Sequence, residues 1–451
     1  MKKTFVLAAL GCCALSSAQL RVCTWNVTNY GGGRAADFKT AIYGIYQGRT
    51  LAPDILICTE FLSQSAVNEF LTILNTATNS PGDWVAQPFH DGPDTDSACF
   101  YRNTKVQMLA QTVIAFGSTS TSNQPRDTVR YDFRPAGYSA ATSTIAAYSV
   151  HMKAGSASSD ISRRQVEAGR IVNNLSTLPA GWNALVCGDF NMQSSTQTPY
   201  VTMVGTTASP GPFYDPIKTP GSWDGNASFK YVHTQDPSST GTMNSRYDFI
   251  ITTAGLLSGT GLTYIGNPNI PYSTTAWSDP NHSYRCWGND GSTFGSALNT
   301  TSNGMVGPTI ATALMNSANS GGHLPVYMDF KVPPRISSPT VNLNFGKVAQ
   351  GRPVTLPITV NHAGDLIKWT AAGLSNLNFS FSQTGKFKGP AGTFSLTPGG
   401  SGNYLASFDT SVPGQFSGTI TITSDDKETP LLTINCTGAV RPTGKTGGFG
   451  R

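Results

Sequence analysis

The sequence predicts an α/β domain followed by a small all-β domain. Between residues 20 and 334, short apolar segments alternate with amphipathic helical segments, which is typical of layered α/β folds. After Pro333-Pro334 the helical pattern disappears and short alternating runs remain. A chain of 451 residues also exceeds the length of one ordinary domain.

The strand candidates of the first domain are short, apolar and rich in β-branched or aromatic residues. They are Leu20–Val27, Asp54–Thr59, Ala98–Arg102, Ser143–His151, Ala184–Cys187, Tyr247–Thr252 and Val326–Val332. The helix candidates carry apolar residues at helical spacing, and they are Ala35–Gln47, Gln64–Thr76 and Asp160–Leu175. The domain is predicted to span residues 20–332.

Residues 193–242 and 255–319 interrupt this pattern, because they are rich in Gly, Pro, Ser, Thr and Asn. They are predicted to be long surface excursions that either shape a substrate groove or have no role. Their tryptophans are expected to anchor their own loops, and the histidines of polar loops are expected to be solvated. These residues are Trp223, Trp277 and Trp287, and His90, His233 and His282.

Residues 335–440 show short alternating runs separated by turn residues, which predicts a β-sandwich. The stretch Asn342-Leu343-Asn344-Phe345-Gly346-Lys347-Val348, followed by Gly351, resembles immunoglobulin-like modules of the ASPM/hydin type. The resemblance implies a module that binds another protein or the cell surface. The Gly-rich, basic residues 441–451 are predicted to be a flexible tail.

Residues 1–18 have the pattern of a secretory signal peptide. Lys2 and Lys3 precede the apolar run Phe5–Leu10, and Ser16-Ser17-Ala18 is a plausible cleavage site. A lipid anchor at Cys12 is a weaker alternative. We therefore expect a protein without a membrane span that is secreted, at the cell surface or periplasmic in a bacterium.

The net charge and the cysteines limit which ligands the sequence can be expected to bind. Removal of Lys2 and Lys3 lowers the formal net charge from +5 to +3, a mild excess that does not by itself indicate nucleic-acid binding. Four cysteines lie in apolar strand candidates and are expected to be core residues: Cys23, Cys58, Cys99 and Cys187. Because the sequence has no CxxC spacing, a cysteine zinc site is not expected.

Several apolar strands end in, or start after, a polar residue of a type common in catalysis. Four such residues lie at or just after the end of a strand candidate: Asn26, Glu60, His151 and Asp189. Two more lie at or just before the start of one: Asp248 and His323. Asn191 lies two residues beyond Asp189. The end of one strand and the start of an antiparallel neighbour lie at the same edge of a sheet, so these side chains are expected to converge at one rim.

This set of residues suits phosphodiester hydrolysis. The negative charge of a phosphodiester repels nucleophiles, so a hydrolase needs a cation, an activated water and donors for developing charge. The oxygens of Glu60 and Asn26 suit Mg²⁺, with Mn²⁺ or Ca²⁺ as alternatives. Asp189 could orient or deprotonate water, and the histidines could donate protons.

The motifs that contain these residues resemble the endonuclease/exonuclease/phosphatase superfamily, particularly the branch near deoxyribonuclease I and its secreted bacterial relatives. They occur in the family's order from Leu20 to Val332 as Trp25-Asn26-Val27, Thr59-Glu60-Phe61, Val150-His151-Met152, Gly188-Asp189-Phe190-Asn191, Arg246-Tyr247-Asp248 and Gly322-His323-Leu324-Pro325. The resemblance implies a four-layer sandwich of two mixed β-sheets flanked by helices.

The resemblance also implies a role for each residue. Glu60 would be the principal metal ligand, with Asn26 helping. His151 and Asn191 would contact the scissile phosphate, and Arg134 is a further candidate phosphate contact. Asp189 would position and activate water, Asp248 would orient His151 or its neighbour, and His323 would be the second catalytic histidine.

One departure concerns the residue before His323. The family usually has Ser-Asp-His at this point, whereas this chain has Gly321-Gly322-His323. Gly322 cannot orient the histidine or add to a metal site. Asp279 or Asp290 could replace the missing carboxylate.

The leading hypothesis is a secreted, metal-dependent phosphodiester hydrolase, most plausibly an endonuclease acting on DNA. A second hypothesis is a phosphodiesterase or phosphatase that acts on phospholipids or inositol phosphates. An exposed aromatic hairpin would favour it. The third is a non-catalytic secreted binding protein with the same fold.

Overall fold

The computed structural model describes residues 19–443. The predicted signal peptide, residues 1–18, and residues 444–451 of the predicted tail lie outside the described residues. Between residues 19 and 443, no helix combines the length and apolarity that crossing a membrane requires.

The first part of the molecule contains twelve strands and five α-helices within the described residues. The strands are β1 (Leu20–Tyr30), β2 (Ile55–Phe61), β3 (Trp84–Ala86), β4 (Asp96–Arg102), β5 (Val106–Ala115), β6 (Thr128–Pro135), β7 (Ile145–His151), β8 (Asn183–Asp189), β9 (Asp248–Thr252), β10 (Thr263–Tyr264), β11 (Arg285–Cys286) and β12 (Val326–Lys331). The helices are α1 (Ala35–Tyr43), α2 (Gln64–Thr76), α3 (Ser158–Leu175), α4 (Thr198–Val204) and α5 (Gly307–Ala318).

These elements form four layers. One sheet has the order β10-β12-β1-β2-β4-β3, with β11 also paired to β12, and the other has the order β5-β6-β7-β8-β9. A buried apolar core lies between the two sheets. Helices α1, α2 and α5 pack on the outer face of the first sheet, and α3 and α4 pack on the outer face of the second. The predicted fold class is thereby confirmed for this part.

The strand pairing brings the ends of several strands to one rim. Strands β1 and β2 run parallel, and so do β7 and β8, which places His151 beside Asp189. Strand β9 runs antiparallel to β8, so its first residue, Asp248, lies opposite Asp189. Strand β12 runs antiparallel to β1, so it begins where β1 ends. This topology positions the polar residues that the sequence places at strand ends.

The two predicted excursions are more ordered than expected. They contain α4 and α5, and α5 packs its apolar residues into the core beside α1. Trp223 and Trp287 are fully buried, so they anchor these segments as expected. His233 and His282 are also buried, which corrects the prediction that they are solvated. All six cysteines of the described chain are buried free thiols, which confirms the core position predicted for Cys23, Cys58, Cys99 and Cys187.

The second part of the molecule is an all-β sandwich. Its strands are β13 (Ile336–Ser337), β14 (Asn342–Ala349), β15 (Thr355–His362), β16 (Leu377–Phe381), β17 (Phe387–Lys388), β18 (Thr393–Leu396), β19 (Ser401–Phe408), β20 (Gly414–Ser424) and β21 (Leu431–Arg441). A sheet of order β13-β15-β19-β17 faces one of order β14-β21-β20-β16-β18 across a separate apolar core. The predicted small all-β domain is therefore confirmed as a fold.

The sandwich is joined to the first part by a buried tryptophan. Trp369 is fully buried and belongs to the core between the two sheets of the first part. The ammonium of Lys105 lies 5.0 Å from its ring centroid. Nearby, the backbone of Val332 pairs with Gly373 and Ser375, and Glu428 accepts hydrogen bonds from the backbone of Ser139 and Ala140. The junction is a packed interface rather than a free linker.

Helix α3 buries a carboxylic acid against the second sheet, and this predicts a measurable pH dependence. Glu167 is 1% exposed and accepts a hydrogen bond of 2.9 Å from the hydroxyl of Thr128. Its other oxygen has no hydrogen-bond partner among the described residues. Burial raises the pKa of Glu167 to about 7, although Thr128 and two arginines act in the opposite direction.

Between the carboxyl's pKa in the unfolded chain and this raised pKa, the folded state binds more protons than the unfolded state. The free energy of unfolding contributed by Glu167 should therefore be greatest at low pH and fall as the pH rises to about 7, by about 3 kcal/mol. Glu167→Gln should remove this decrease. Urea unfolding should show similar stability of the two proteins at pH 4 and a more stable variant at pH 8. An equal difference at both pH values would contradict the prediction.

Candidate active site

Six polar side chains meet at one rim of the two packed sheets of the first part. They come from the ends of β1, β2, β7 and β8, from the start of β9, and from the turn before β12. These side chains are those of Asn26, Glu60, His151, Asp189, Asp248 and His323. Five of them are buried and Glu60 is partly exposed. The structure thus brings together residues that are almost 300 positions apart in the chain.

The carboxylate of Asp189 lies at the centre of this group. Its Oδ2 accepts a hydrogen bond of 3.1 Å from the side-chain amide of Asn26. The Nε2 atoms of His151 and His323 lie 3.6 Å and 3.7 Å from the same oxygen. Its other oxygen accepts from the backbone N–H of Asn191 at 2.9 Å. Asp189 is therefore fixed in orientation and faces both histidines.

Glu60 accepts from the same amide nitrogen of Asn26 as Asp189 does. Its Oε1 accepts a hydrogen bond of 2.8 Å from Nδ2 of Asn26, and its Oε2 accepts one of 2.7 Å from the backbone N–H of Asn29. Glu60 has a φ of 68°, which is uncommon for a residue other than glycine and is found at functional sites. Glu60 and Asp189 thus share one hydrogen-bond donor.

The orientation of the Asn26 amide is determined by its backbone neighbour. Oδ1 accepts a hydrogen bond of 3.0 Å from the N–H of Thr28, which leaves Nδ2 facing the two carboxylates. Asn26 therefore donates between Glu60 and Asp189 in this arrangement. For Asn26 to offer an oxygen to a metal, as predicted, its amide would have to turn.

His323 is held by Asp248. Nδ1 of the imidazole lies 2.6 Å from Oδ2 of Asp248, and the same oxygen accepts a hydrogen bond of 2.7 Å from the hydroxyl of Thr234. Burial alone would lower the pKa of His323, but the carboxylates of Asp248 and Asp189 raise it to about 9. Asp248 therefore orients His323. The resemblance left open whether Asp248 orients His151 or a neighbouring histidine, and the structure shows that it is His323.

His151 has different surroundings. Its Nδ1 lies 3.5 Å from the hydroxyl of Thr95, and the guanidinium of Arg126 donates to its backbone carbonyl at 3.3 Å. Burial lowers the pKa of His151 well below its usual range, and the positive charges of Arg126 and His323 add to this effect. The two histidines that face Asp189 therefore favour different charge states, neutral for His151 and positive for His323.

Asp189 itself favours its neutral form more than an ordinary carboxyl does. Burial raises its pKa to about 7, and the carboxylates of Asp248 and Glu60 contribute to the increase. The positive charge of His323 acts in the opposite direction. A carboxyl that titrates close to neutral pH can exchange a proton with water under physiological conditions.

The loops that carry His151 and Asn191 are fastened to each other. The side chain of Asn191 donates to the carbonyl of Met152 at 3.1 Å. Beneath them, the buried guanidinium of Arg164 donates to the carbonyls of Lys153 and Gly155, and to the side chain of Gln197 at 3.2 Å. The positions of His151 and Asn191 are thus coupled through the same short segment.

Arg134 is not brought to this rim. Strand β6 runs antiparallel to β7, and Arg134 lies near the end of β6 that faces the start of β7. Its guanidinium donates to Gln107 and to the carbonyl of Ser139. The predicted phosphate contact of Arg134 is therefore corrected, because the strand direction places it at the opposite edge of the sheet.

Arg126 is the cation that the sequence reasoning missed. It lies just before the start of β6, and therefore beside the end of β7 and His151. Its guanidinium also contacts the carboxylate of Asp94 at 2.7 Å. The rule that selected Asp248, a polar residue preceding a strand antiparallel to its neighbour, applies to Arg126 only when β6 is recognised as a strand.

Gly322 leaves no room for a side chain. A Cβ atom there would lie 1.8 Å from the carbonyl oxygen of Ala318. Neither proposed substitute for the missing carboxylate reaches the rim. Asp279 accepts from the backbone of Ser273 and Asn281, and Asp290 accepts from its own loop. The suggestion that Asp279 or Asp290 replaces the carboxylate is therefore corrected.

The donor set at the rim fits a divalent cation of the hard, oxygen-preferring type. Glu60 and Asp189 are two carboxylates with limited solvent access, and one oxygen of each lies within 4 Å of Nε2 of His151; neighbouring carboxylates of this kind are stabilised by a cation. Oδ1 of Asp248 is buried without a hydrogen-bond partner among the described residues. Asp189, Asp248 and His323 also offer ligand atoms within 4.8 Å of one another. Because His323 and Asp248 already bind each other, Glu60 with Asp189 is the better-suited pair.

Comparisons with known proteins give fold likenesses at low identity. No protein-family model matches the chain, and no curated protein sequence matches it. Among solved structures it is similar to an endonuclease/exonuclease/phosphatase from Bacteroides vulgatus, with 14% identity and a TM-score of 0.42, covering 69% of this chain and 98% of that one.

Two further solved structures have comparable scores. D. rerio TDP2 complexed with single-strand DNA product is 14% identical with a TM-score of 0.41, covering 69% of this chain and 99% of that one. The human Nocturnin catalytic domain with bound sulfate anion is 15% identical with a TM-score of 0.39, covering 69% and 94%. At these identities and TM-scores, the similarity gives no information about the activity of this chain.

Proposed function

We propose that this protein is a secreted, cation-dependent phosphodiester hydrolase that cleaves DNA internally. The observation that carries the proposal is the arrangement around Asp189. Two histidines of opposite charge preference lie within 4 Å of its Oδ2 atom, and the carboxylate of Glu60 accepts from the same amide nitrogen as Asp189 does. Buried titratable groups cost stability, and clusters of them with strongly shifted pKa values are concentrated at catalytic sites, which favours an enzyme over a binding protein. Export rests on the sequence of residues 1–18.

Glu60 and Asp189 would hold the cation, which when bound would offset charge on a phosphate oxygen and acidify a water molecule. Asp189 is suited to orient that water and to accept its proton, because its carboxylate is fixed by the N–H of Asn191 and faces both histidines. Asn26 keeps the two carboxylates in their positions by donating to both of them.

The remaining residues would bind the phosphate and the charge that develops on it. His323, which is held by Asp248 and favours the protonated form, can donate a proton to a phosphoryl or leaving-group oxygen. His151 favours the neutral form and can donate a hydrogen bond, with Arg126 adding positive charge behind it. Asn191 is placed next to His151 for the predicted phosphate contact.

A phospholipid or inositol-phosphate substrate is the second candidate, and one observation favours it. The loop that connects β5 to β6 lies at the rim and contains Phe116, whose side chain is 66% exposed. An exposed aromatic on a hairpin beside the site could enter a lipid surface. DNA is preferred because a single exposed aromatic residue provides little apolar area for membrane attachment.

Incubation of the mature protein with supercoiled plasmid DNA tests the proposal. With Mg²⁺ we expect nicked and linear products, and we expect chelation or Glu60→Ala to lower the rate by at least about 10³-fold. Glu69→Ala, which removes an exposed carboxylate from α2, is the matched control and should cleave at the unmodified rate.

A parallel assay with vesicles of sphingomyelin and phosphatidylcholine separates the candidates. Release of the phosphorylated headgroup without plasmid cleavage would replace DNA by a lipid substrate. Plasmid cleavage that persists in chelator and in Glu60→Ala would refute the proposed cation chemistry. Failure of every preparation to cleave either substrate would favour the non-catalytic binding protein.

A further inference from the structure

The segment Thr234–Asp236 lies directly against the turn that carries His323. The backbone of Gln235 forms an antiparallel bridge with His323, and the N–H of Leu324 donates to the carbonyl of Thr234 at 2.9 Å. The carboxylate of Asp236 accepts from the N–H of Gly321 at 2.8 Å. Two neighbouring segments, far apart in sequence, are thus fixed to each other beside the proposed catalytic histidine.

This contact matters because the turn cannot support His323 with a side chain of its own. A Cβ at position 322 would overlap the carbonyl of Ala318, so only glycine fits there. Thr234 already supports the other side of the histidine, because its hydroxyl donates to Asp248. Any further support for the imidazole must therefore come from the segment that lies across from it.

Gln235 supplies such a contact through its side-chain amide. Nε2 of the amide lies 3.1 Å from Nε2 of His323 and 3.2 Å from the carbonyl oxygen of Gly321. A carbonyl oxygen can only accept, so the amide nitrogen must face Gly321. In the neutral imidazole, the same nitrogen can donate to Nε2 of His323 while the Nδ1–H group donates to Asp248.

An amide is well suited to this position, because it carries both a donor and an acceptor. The protonated imidazole, which is the form that His323 favours, carries a proton on Nε2, and rotation of the amide away from Gly321 would present the amide oxygen to it. An apolar side chain of the same length could serve neither state, and a carboxylate could serve only the protonated one. The imidazole is thus held at both nitrogens, with Nε2 also 3.7 Å from Asp189.

We propose that Gln235 is a positioning residue for His323, and that its amide replaces the support that the turn before the histidine cannot give. This inference rests on the proposed function for its kinetic consequence, but the contact itself does not depend on any substrate. Gln235 holds the ring at Nε2 while Asp248 holds it at Nδ1. Loss of the amide frees the imidazole to turn away from Asp189.

Three substitutions of Gln235 test the proposal. Gln235→Met keeps the length of the side chain and removes both hydrogen-bonding groups, so kcat for plasmid cleavage should fall roughly tenfold while KM stays within about twofold. Gln235→Asn keeps the amide but shortens its reach, so its kcat should lie between those of the unmodified protein and Gln235→Met. Gln235→Glu keeps an acceptor for the protonated imidazole, so its kcat should fall less than that of Gln235→Met. Gln415→Met, on the exposed face of the sandwich, is the control and should not change kcat.

A measurement without substrate separates this inference from the proposed function. Long-range ¹H–¹⁵N spectra of the imidazoles, with His323 assigned from its loss in His323→Gln, report the state of each ring nitrogen. Gln235→Met should shift the Nε2 resonance of His323 and leave those of His282 and His362 in place. If the resonance moves in a protein that cleaves no substrate, the contact stands and the proposed function fails.

Three results would contradict the inference. An unchanged Nε2 resonance in Gln235→Met would show that the amide does not hold the histidine in solution. An unchanged kcat in an active enzyme, with the resonance shifted, would show that the contact has no catalytic consequence. A rise in KM with unchanged kcat would assign Gln235 to substrate binding and would equally contradict a positioning role.

Discussion

Replacement of Asp189 by asparagine is expected to lower kcat by about 10³- to 10⁴-fold while the protein remains folded. The substitution keeps the size of the side chain and its contact with the backbone N–H of Asn191, which approaches Oδ1 at 2.9 Å. It removes the only group that faces Asn26 and both histidines and can also accept a proton from water. Single-turnover cleavage of plasmid DNA would measure the loss.

The loss should not come from destabilisation. Burial next to Asp248 and Glu60 raises the pKa of Asp189, so the charged carboxylate is held at a cost to the fold. Its neutral replacement should leave the free energy of unfolding within about 1 kcal/mol of the unmodified value. Loss of activity with a parallel loss of stability would mean that Asp189 is structural.

Asp290→Asn provides the matched control. Asp290 accepts hydrogen bonds within its own loop, from Ser292 and Gly304, and it does not reach the rim. Its replacement should leave kcat unchanged. If Asp290→Asn lowers kcat as much as Asp189→Asn, the centre of the site has been placed on the wrong carboxylate.

The site could be assembled from sequence because strand direction constrains where polar residues meet. Asn26, Glu60 and Asp189 each end an apolar strand, and the parallel and antiparallel pairing of those strands leaves only one edge at which they can converge. The buried runs themselves identify the strands, because both faces of each sheet are covered.

The same logic failed where strands were not recognised. Strand β5, in which eight of the ten residues are exposed or partly exposed, does not have the apolar pattern of a buried strand, and β6 was missed with it. Without β6, the position of Arg126 at the rim and of Arg134 at the far edge could not be deduced. Errors in the site thus follow from an error in the fold.

The long excursions were misjudged for a different reason. Composition rich in Gly, Ser and Asn usually indicates solvated loops. Here Trp223, Trp287 and Tyr284 are buried at their centre and hold these segments against the sheets. Gln235 belongs to one of these segments, and no local pattern indicates that it reaches His323. Such contacts depend on tertiary structure alone.

The second large effect is expected at the junction between the two parts of the molecule. Trp369→Ala should lower the free energy of unfolding by about 3–5 kcal/mol, because it leaves a cavity in a core that the sandwich completes. It also removes the ring that faces the ammonium of Lys105, which is 4% exposed and 3.0 Å from the carboxylate of Asp54. Trp369→Phe should lose less.

Calorimetry would show whether the sandwich and the four-layer part unfold together. Because Trp369 lies in the core of the other part, we expect one transition in the unmodified protein, shifted to lower temperature in Trp369→Ala.

Ile367→Ala, two residues away at a side chain that is 98% exposed, should change stability by less than about 0.5 kcal/mol. The rim lies at the opposite end of the strands, so kcat below the transition should be unaffected. A transition of the four-layer part that ignores Trp369→Ala would show that its core is complete without the sandwich, and the two parts would then be independent domains.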